Sequence, residues 1–160
     1  MKLTPSIAKQ IALDMSPEIH PIDQREFFLI HTENVVKIGR IIAKKLNLDE
    51  DFFEIAGRIH DIGYAKDFEH HAEYTIPMLM DLWYEIDKTL EDCILNHGSQ
   101  KSPTTLEGKI FQIADKLSVF DAQTIELFIK YEEFPMKKDG LAFLKNMSER
   151  ACKLLEDFEE

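Results

Sequence analysis

The chain lacks the features of a secreted, membrane-spanning or nucleic-acid-coating protein. Its two cysteines, Cys93 and Cys152, are too few for a disulfide framework. No apolar run approaches the roughly 20 residues that cross a bilayer, and Met1-Lys2-Leu3-Thr4-Pro5 does not open a signal peptide. Positive charge is scarce: 19 Lys and Arg stand against 30 Asp and Glu, a net charge of -11, with an acidic end at Glu156, Asp157, Glu159 and Glu160. Such a surface repels a nucleic-acid backbone. It still admits a small phosphorylated substrate, because a bound metal can supply local positive charge. No segment sustains the alternation of a strand, and there is no internal repeat or low-complexity tract. With 160 residues and 44% hydrophobic content, the expectation is one cytoplasmic domain with its own core. No nucleic-acid or membrane partner is expected, and a homodimer stays open.

What is present is helical periodicity. Thr4-Pro5 reads as a cap and first-turn proline opening a helix over 4–15. Residues 16–22 hold two prolines and connect to a long helix from about 24 to Leu46. Its apolar stripe is Phe28, His31, Val35, Ile38 and Ile42. Asn47 to Asp49 stop that helix and cap the next, about 50–61, which Gly63 ends as a C-terminal glycine. A loop covers 64–69. Helix resumes near His70, with Pro77 either kinking it or lying in its first turn. Asp87 caps a helix ending near His97-Gly98, and Ser99 to Pro103 form a polar loop. Thr104 or Thr105 opens one long helix to Tyr131, and 132–138 link to a last helix over 139–158. The core therefore runs from about 24 to 131, with the first and last helices packed on it.

Several polar residues fall on the apolar stripes, where they are costly unless paired or bound. His31 lies between Phe28 and Val35. His97 follows Leu90, Cys93 and Ile94 at helical spacing, and Asp115 shares a side with Phe111, Val119 and Ala122. His71 aligns with Thr75, Met78 and Leu82, which favours it over His70. His60 and Asp61 are adjacent and would diverge by about 100° in mid-helix, but a fraying helix end lets both face one centre. Imidazole and carboxylate are the donors a divalent metal takes. Each residue also has a plainer reading. A single buried histidine often satisfies itself with one hydrogen bond, and Asp115 can pair with Arg58 or Lys116. Cys93 and His97 are four apart and can in principle share zinc, although a buried Cys93 packs equally well. His20, in a Pro-flanked connector, reads as surface.

Taken together, His31, His60-Asp61-Ile62-Gly63 and Ala114-Asp115-Lys116-Leu117 resemble the HD-domain superfamily of metal-dependent phosphohydrolases. The resemblance covers about Phe27 to Phe120, and His71-Ala72-Glu73 is similar to the family's short motif after the loop. Arg58 departs from the pattern, standing where a small or apolar residue is common. The paired histidines of the cyclic-di-GMP-cleaving branch are absent, since Gly98 follows His97.

The resemblance implies an all-α helical bundle and a hydrolase of a phosphoester, a small nucleotide, that uses metal-activated water. It implies that His31, His60, Asp61 and Asp115 hold one divalent ion (Fe, Mn, Co, Ni, Zn or Mg). His71, His97 and a bridging Asp61 would hold a second in members with two. Asp61 and His60 are the catalytic candidates. Lys66, Lys101 and Lys116 are the candidate contacts to substrate phosphate or leaving group. Two alternatives remain: a di-iron oxygenase of the inositol-oxygenase type, and a non-catalytic ligand-binding domain.

Overall fold

The computed structural model describes residues 1–98, 101–130 and 140–159. Among them are eight α-helices and no strand: α1 (Pro5–Met15), α2 (Ile22–Leu46), α3 (Glu50–Ile59), α4 (His71–Asp81), α5 (Lys88–Asn96), α6 (Leu106–Ser118), α7 (Ala122–Lys130) and α8 (Gly140–Glu159). Short 3-10 turns at Ser16–Glu18 and Ile62–Ala65 complete the chain.

Local chemistry sets most helix starts. The Thr4 hydroxyl accepts from the Ile7 amide, and the carboxylates of Asp49 and Asp87 accept from the first turns of α3 and α5. Thr105 does the same for Gly108 at the start of α6. Each pairing satisfies backbone donors that a helix N-terminus otherwise leaves open. At the far end of α2, Asn47 takes the left-handed conformation, with φ 55°.

The spine is α2. It packs against α3, α6 and α7, while α1 lies on α3 and α6 is flanked by α5 and α8. Phe28, Val35 and Ala43 of α2 meet Phe53, Ala56 and Ile59 of α3 and Ile110 and Phe111 of α6 in one core. No helix among the described residues is long and apolar enough to cross a membrane.

Two expectations from the sequence need correction. The helix expected from Thr104 or Thr105 to Tyr131 is two helices. The apolar period runs on through Val119 and Ala122, but Ser118 bonds back to the Asp115 carbonyl and the Asp121 carboxylate accepts from the Gln123 amide, opening a new start. Of the two places left open for Pro77, the structure has the one inside α4, beyond its first turn. Gly63 does not end α3 in a left-handed turn, for no glycine among the described residues has positive φ. The chain continues instead into the Ile62–Ala65 turn. A Cβ at Gly63 would stand 1.9 Å from the His71 carbonyl oxygen, so glycine is needed there for the close approach of α4. Ser99, Gln100 and the 132–138 link lie outside the described residues.

Candidate metal centre

Five parts of the fold deliver side chains to one interior point. Helix α2 brings His31, the end of α3 brings His60 and Asp61, α6 brings Asp115, the first residue of α4 is His71, and the residue after α5 is His97. All but His71 are at least nine-tenths buried, with His60 and Asp61 at 0% and 1% exposure.

The arrangement divides at Asp61. His31 Nε2 and His60 Nε2 are 3.2 Å apart and lie 3.4 and 3.1 Å from Asp61 Oδ2. Asp115 Oδ1 is 3.0 Å from His31 and 3.8 Å from His60. On the other side, His71 Nε2 and His97 Nε2 are 3.1 Å apart and stand 3.0 and 3.4 Å from Asp61 Oδ1. Donor atoms held about 2.1 Å from a common ion stand roughly 3.0–3.4 Å from one another, so both spacings suit a first-row divalent metal. The residues present fit such an ion.

Protons decide the matter further. His60 Nδ1 is 3.0 Å from the Gly57 carbonyl, His71 Nδ1 is 2.9 Å from Phe68 O, and His97 Nδ1 is 2.6 Å from Ile94 O. A carbonyl only accepts, so each Nδ1 carries the hydrogen. The Ser118 hydroxyl donates to the Asp115 carbonyl at 2.7 Å, and its oxygen accepts from His31 Nδ1 at 2.7 Å. In the neutral rings all four Nε2 atoms therefore present lone pairs to the centre, toward each other and toward two carboxylates. Asp61 Oδ1 is buried without a hydrogen-bond donor. Such convergence of acceptors is stable only around positive charge.

The electrostatics agree. Burial opposes ionisation of Asp61, yet His60 and His71 hold it well below the ordinary carboxylate range. Burial also opposes ionisation of Asp115, and Lys116 and His31 outweigh it. Burial would lower His31, but Asp115 and Asp61 lift it to about 9, and Asp61 similarly raises His71 against its burial. His60, the most enclosed, is lowered by burial despite Asp61.

An open cleft of about 210 Å³ leads to this centre. Phe27, Tyr64, Val119 and Met147 form its less polar walls and Lys116 its cation. Phe27 stacks on His31 at 5.1 Å between ring centroids, and Tyr64 leans on His71 at 4.3 Å. Burial, with Asp61 and Asp115 nearby, raises the Tyr64 phenol well above its ordinary value, so it stays protonated.

The three candidate lysines separate. Lys116 is buried and pairs with Asp115 Oδ2, leaving Oδ1 to face the histidines. Lys66 is exposed after the Ile62–Ala65 turn, and Lys101 borders a different hollow with Lys109 and Gln112; neither lines the cleft. His70 points away and pairs with Asp67 at 3.1 Å, and Arg58 pairs with Glu33 and Glu54 rather than with Asp115. Cys93 packs in the core. The sequence reading missed Ser118, although it lies three residues after Asp115 on the same helix face. It also missed Met147, which carries no local signal at all.

The comparisons with known proteins follow the same lines. The HD domain model matches residues 28–119. The chain belongs to the HD-domain superfamily. It is 31% identical over 144 residues to a deoxyguanosinetriphosphate triphosphohydrolase-like protein of Caldanaerobacter subterraneus subsp. tengcongensis, covering 72% of this chain and 40% of that protein. It is 32% identical over 92 residues to ribonuclease Y of Fervidobacterium nodosum, covering 56% of this chain and 18% of the relative. This HD-domain chain thus spans less than half the length of these curated relatives. The crystal structure of a predicted HD superfamily hydrolase from an uncultured Thermotogales bacterium superposes with a TM-score of 0.57 at 25% identity, over 94% of this chain and 88% of that one.

Proposed function

We propose that this HD-domain protein hydrolyses a phosphoester of a small nucleotide, with two divalent ions held side by side. The observation that carries the reading is the division of Asp61, whose two oxygens each face a separate pair of imidazole nitrogens. His31, His60, Asp61 and Asp115 would hold the first ion, and His71, His97 and Asp61 the second. When bound, such ions supply Lewis acidity toward phosphoryl oxygen and bring the pKa of water toward neutrality. The rest is the work of the chain. The backbone carbonyls and Ser118 fix the tautomers, so every Nε2 is available. Lys116 restrains one oxygen of Asp115, which keeps the other aimed inward, and it lines the cleft where a substrate phosphate would enter. Phe27, Val119 and Met147 exclude water from one wall. No serine or cysteine nucleophile is required.

The relatives named for a triphosphohydrolase and a ribonuclease support phosphate chemistry. The net charge of -11 supports a small substrate over a polymer. Nucleoside monophosphates and dinucleoside polyphosphates are the classes to screen. The test is phosphate release by the purified chain, reloaded with Mn²⁺ or Co²⁺, with oxygen excluded. Activity is expected under those conditions, and Asp61→Ala should abolish it because both pairs of histidines lose their shared carboxylate. Turnover that requires dioxygen and frees no phosphate would move the protein to the di-iron oxygenase class, which uses the same six donors.

A further inference from the structure

Gln112 lies three residues before Asp115 on α6 and is 2% exposed. Its side-chain nitrogen lies 3.2 Å from the Asn96 carbonyl, 2.9 Å from that of Gly98 and 3.0 Å from that of Lys101. An amide has two hydrogens, so three acceptors share two donors in a tight clasp. The placement is specific. Asn96 and Gly98 are the residues on either side of His97, and α5 ends at Asn96, where helix carbonyls lose their own partners. The His97 ring itself is held by the hydrogen bond from its Nδ1 to the Ile94 carbonyl.

We infer that Gln112 is a positioning residue for His97 and sets the hold on the second ion without touching it. The inference rests on the two-ion reading above. The first ion's donors are restrained by other groups: His31 by Ser118, His60 by Gly57 and Asp115 by Lys116. Loss of the Gln112 amide should therefore reach one ion and spare the other. The Gly98 carbonyl also accepts from the Lys101 amide at 3.0 Å, so that turn would persist without the amide; water would replace the clasp at Asn96 and would not fix the backbone beside His97 as tightly.

The experiment is a Mn²⁺ titration of the full chain stripped of metal, with free Mn²⁺ read by electron paramagnetic resonance. Wild type should bind two ions. Gln112→Met keeps the volume and removes the donors. It should weaken the second ion by roughly 10–100-fold, the usual effect of losing an outer support, and leave the first unchanged. In a His97→Ala background, where one ion remains, Gln112→Met should change nothing further. A core residue acting through general stability would not show this pattern. Gln112→Glu, of the same shape, is the second variant and should shift the same ion in the same direction. A wild type that binds one ion sinks the two-ion reading itself. Two ions in wild type with unchanged binding in the variants, equal weakening of both ions, or loss of the fold in both variants would overturn the role of Gln112 alone.

Discussion

Asp92 should be worth about 2–4 kcal/mol to this fold, and the amount should depend on acid in a defined direction. Its carboxylate on α5 accepts from the Thr104 amide at 2.9 Å, the Thr105 amide at 2.8 Å, the Thr105 hydroxyl at 2.7 Å and the Asn96 side chain at 2.8 Å. Thr105 in turn caps α6. Asp92→Ala strands two backbone donors and a hydroxyl in a part-buried place, where each unsatisfied group costs about 1–3 kcal/mol and water recovers some of it. At this chain length about 2–4 °C of Tm follows each kcal/mol, so a fall of roughly 5–15 °C is expected. Asp92→Asn keeps the shape but loses the charge and one acceptor, and should cost about half as much. Burial opposes ionisation of Asp92, but the Thr105 hydroxyl and amide, Asn96 and Thr104 outweigh it and hold its pKa below the ordinary value. The unfolded chain then takes up the proton first. The stabilisation is complete above the unfolded pKa, about 3.9, and is lost as pH falls through the lower folded value. Urea unfolding followed by circular dichroism, wild type against Asp92→Asn at pH 7 and near pH 3, measures it. Asp61 and Asp115 titrate in both proteins and cancel in the difference. A gap between the two proteins that does not shrink in acid, or one below about 0.5 kcal/mol at pH 7, would refute the argument.

The remaining predictions concern the two sides of the centre. Ser118→Ala removes the acceptor of His31 Nδ1 and frees that ring to carry its hydrogen on Nε2, so Mn²⁺ binding at the first ion should weaken roughly 10–100-fold; an effect confined to the second ion would contradict the assignment. Gly63→Ala forces the Ile62–Ala65 turn away from the His71 carbonyl and disturbs Thr75, whose hydroxyl accepts from the Gly63 amide and lies 3.0 Å from His60 O and 3.1 Å from His71 O. It should lower Tm and lose the second ion before the first, as thermal unfolding and metal titration would show.

Features decided within a turn of chain were legible in the sequence. Thr4, Asp49, Asp87 and Thr105 cap helices because their side chains reach amides two or three residues on. The same holds for the choice of His71 over His70. One helix position separates them, and His71 reaches Asp61 beside buried Thr75 while His70 pairs with Asp67, although Leu82 at the far end of the stripe is exposed. Features decided between helices were not legible. Val119 and Ala122 continue an apolar period straight through the break between α6 and α7, and period cannot register a serine that bonds backward or an aspartate that caps forward. Gly63 reads as a helix stop in sequence, whereas its cause is a carbonyl on another element. Nothing in the spacing says that the two oxygens of Asp61 face different histidines; that emerges only when α4 and α5 dock.

Much of the site is supported from about two turns of one helix. Gln112, Asp115, Lys116 and Ser118 all lie on α6. Asp115 faces the first pair of histidines, Lys116 restrains its outer oxygen, Ser118 turns the His31 ring, and Gln112 clasps the chain around His97. These four tasks need polar groups on a helix whose surroundings are core, which is costly unless each polar atom has a partner. Each of the four residues has at least one here, and the partners lie on α2 and after α5 as well as on α6 itself. A shift of α6 would therefore disturb His31, Asp115 and His97 together, while its packing between α5 and α8 and against α2 resists such a shift. Sites on loops gain adaptability by giving up that restraint. Ions that must keep donor spacings near 3 Å gain more from the rigid helix, and this is the physical reason the polar residues of this chain gather on a helix that hydrophobicity alone would have made entirely apolar.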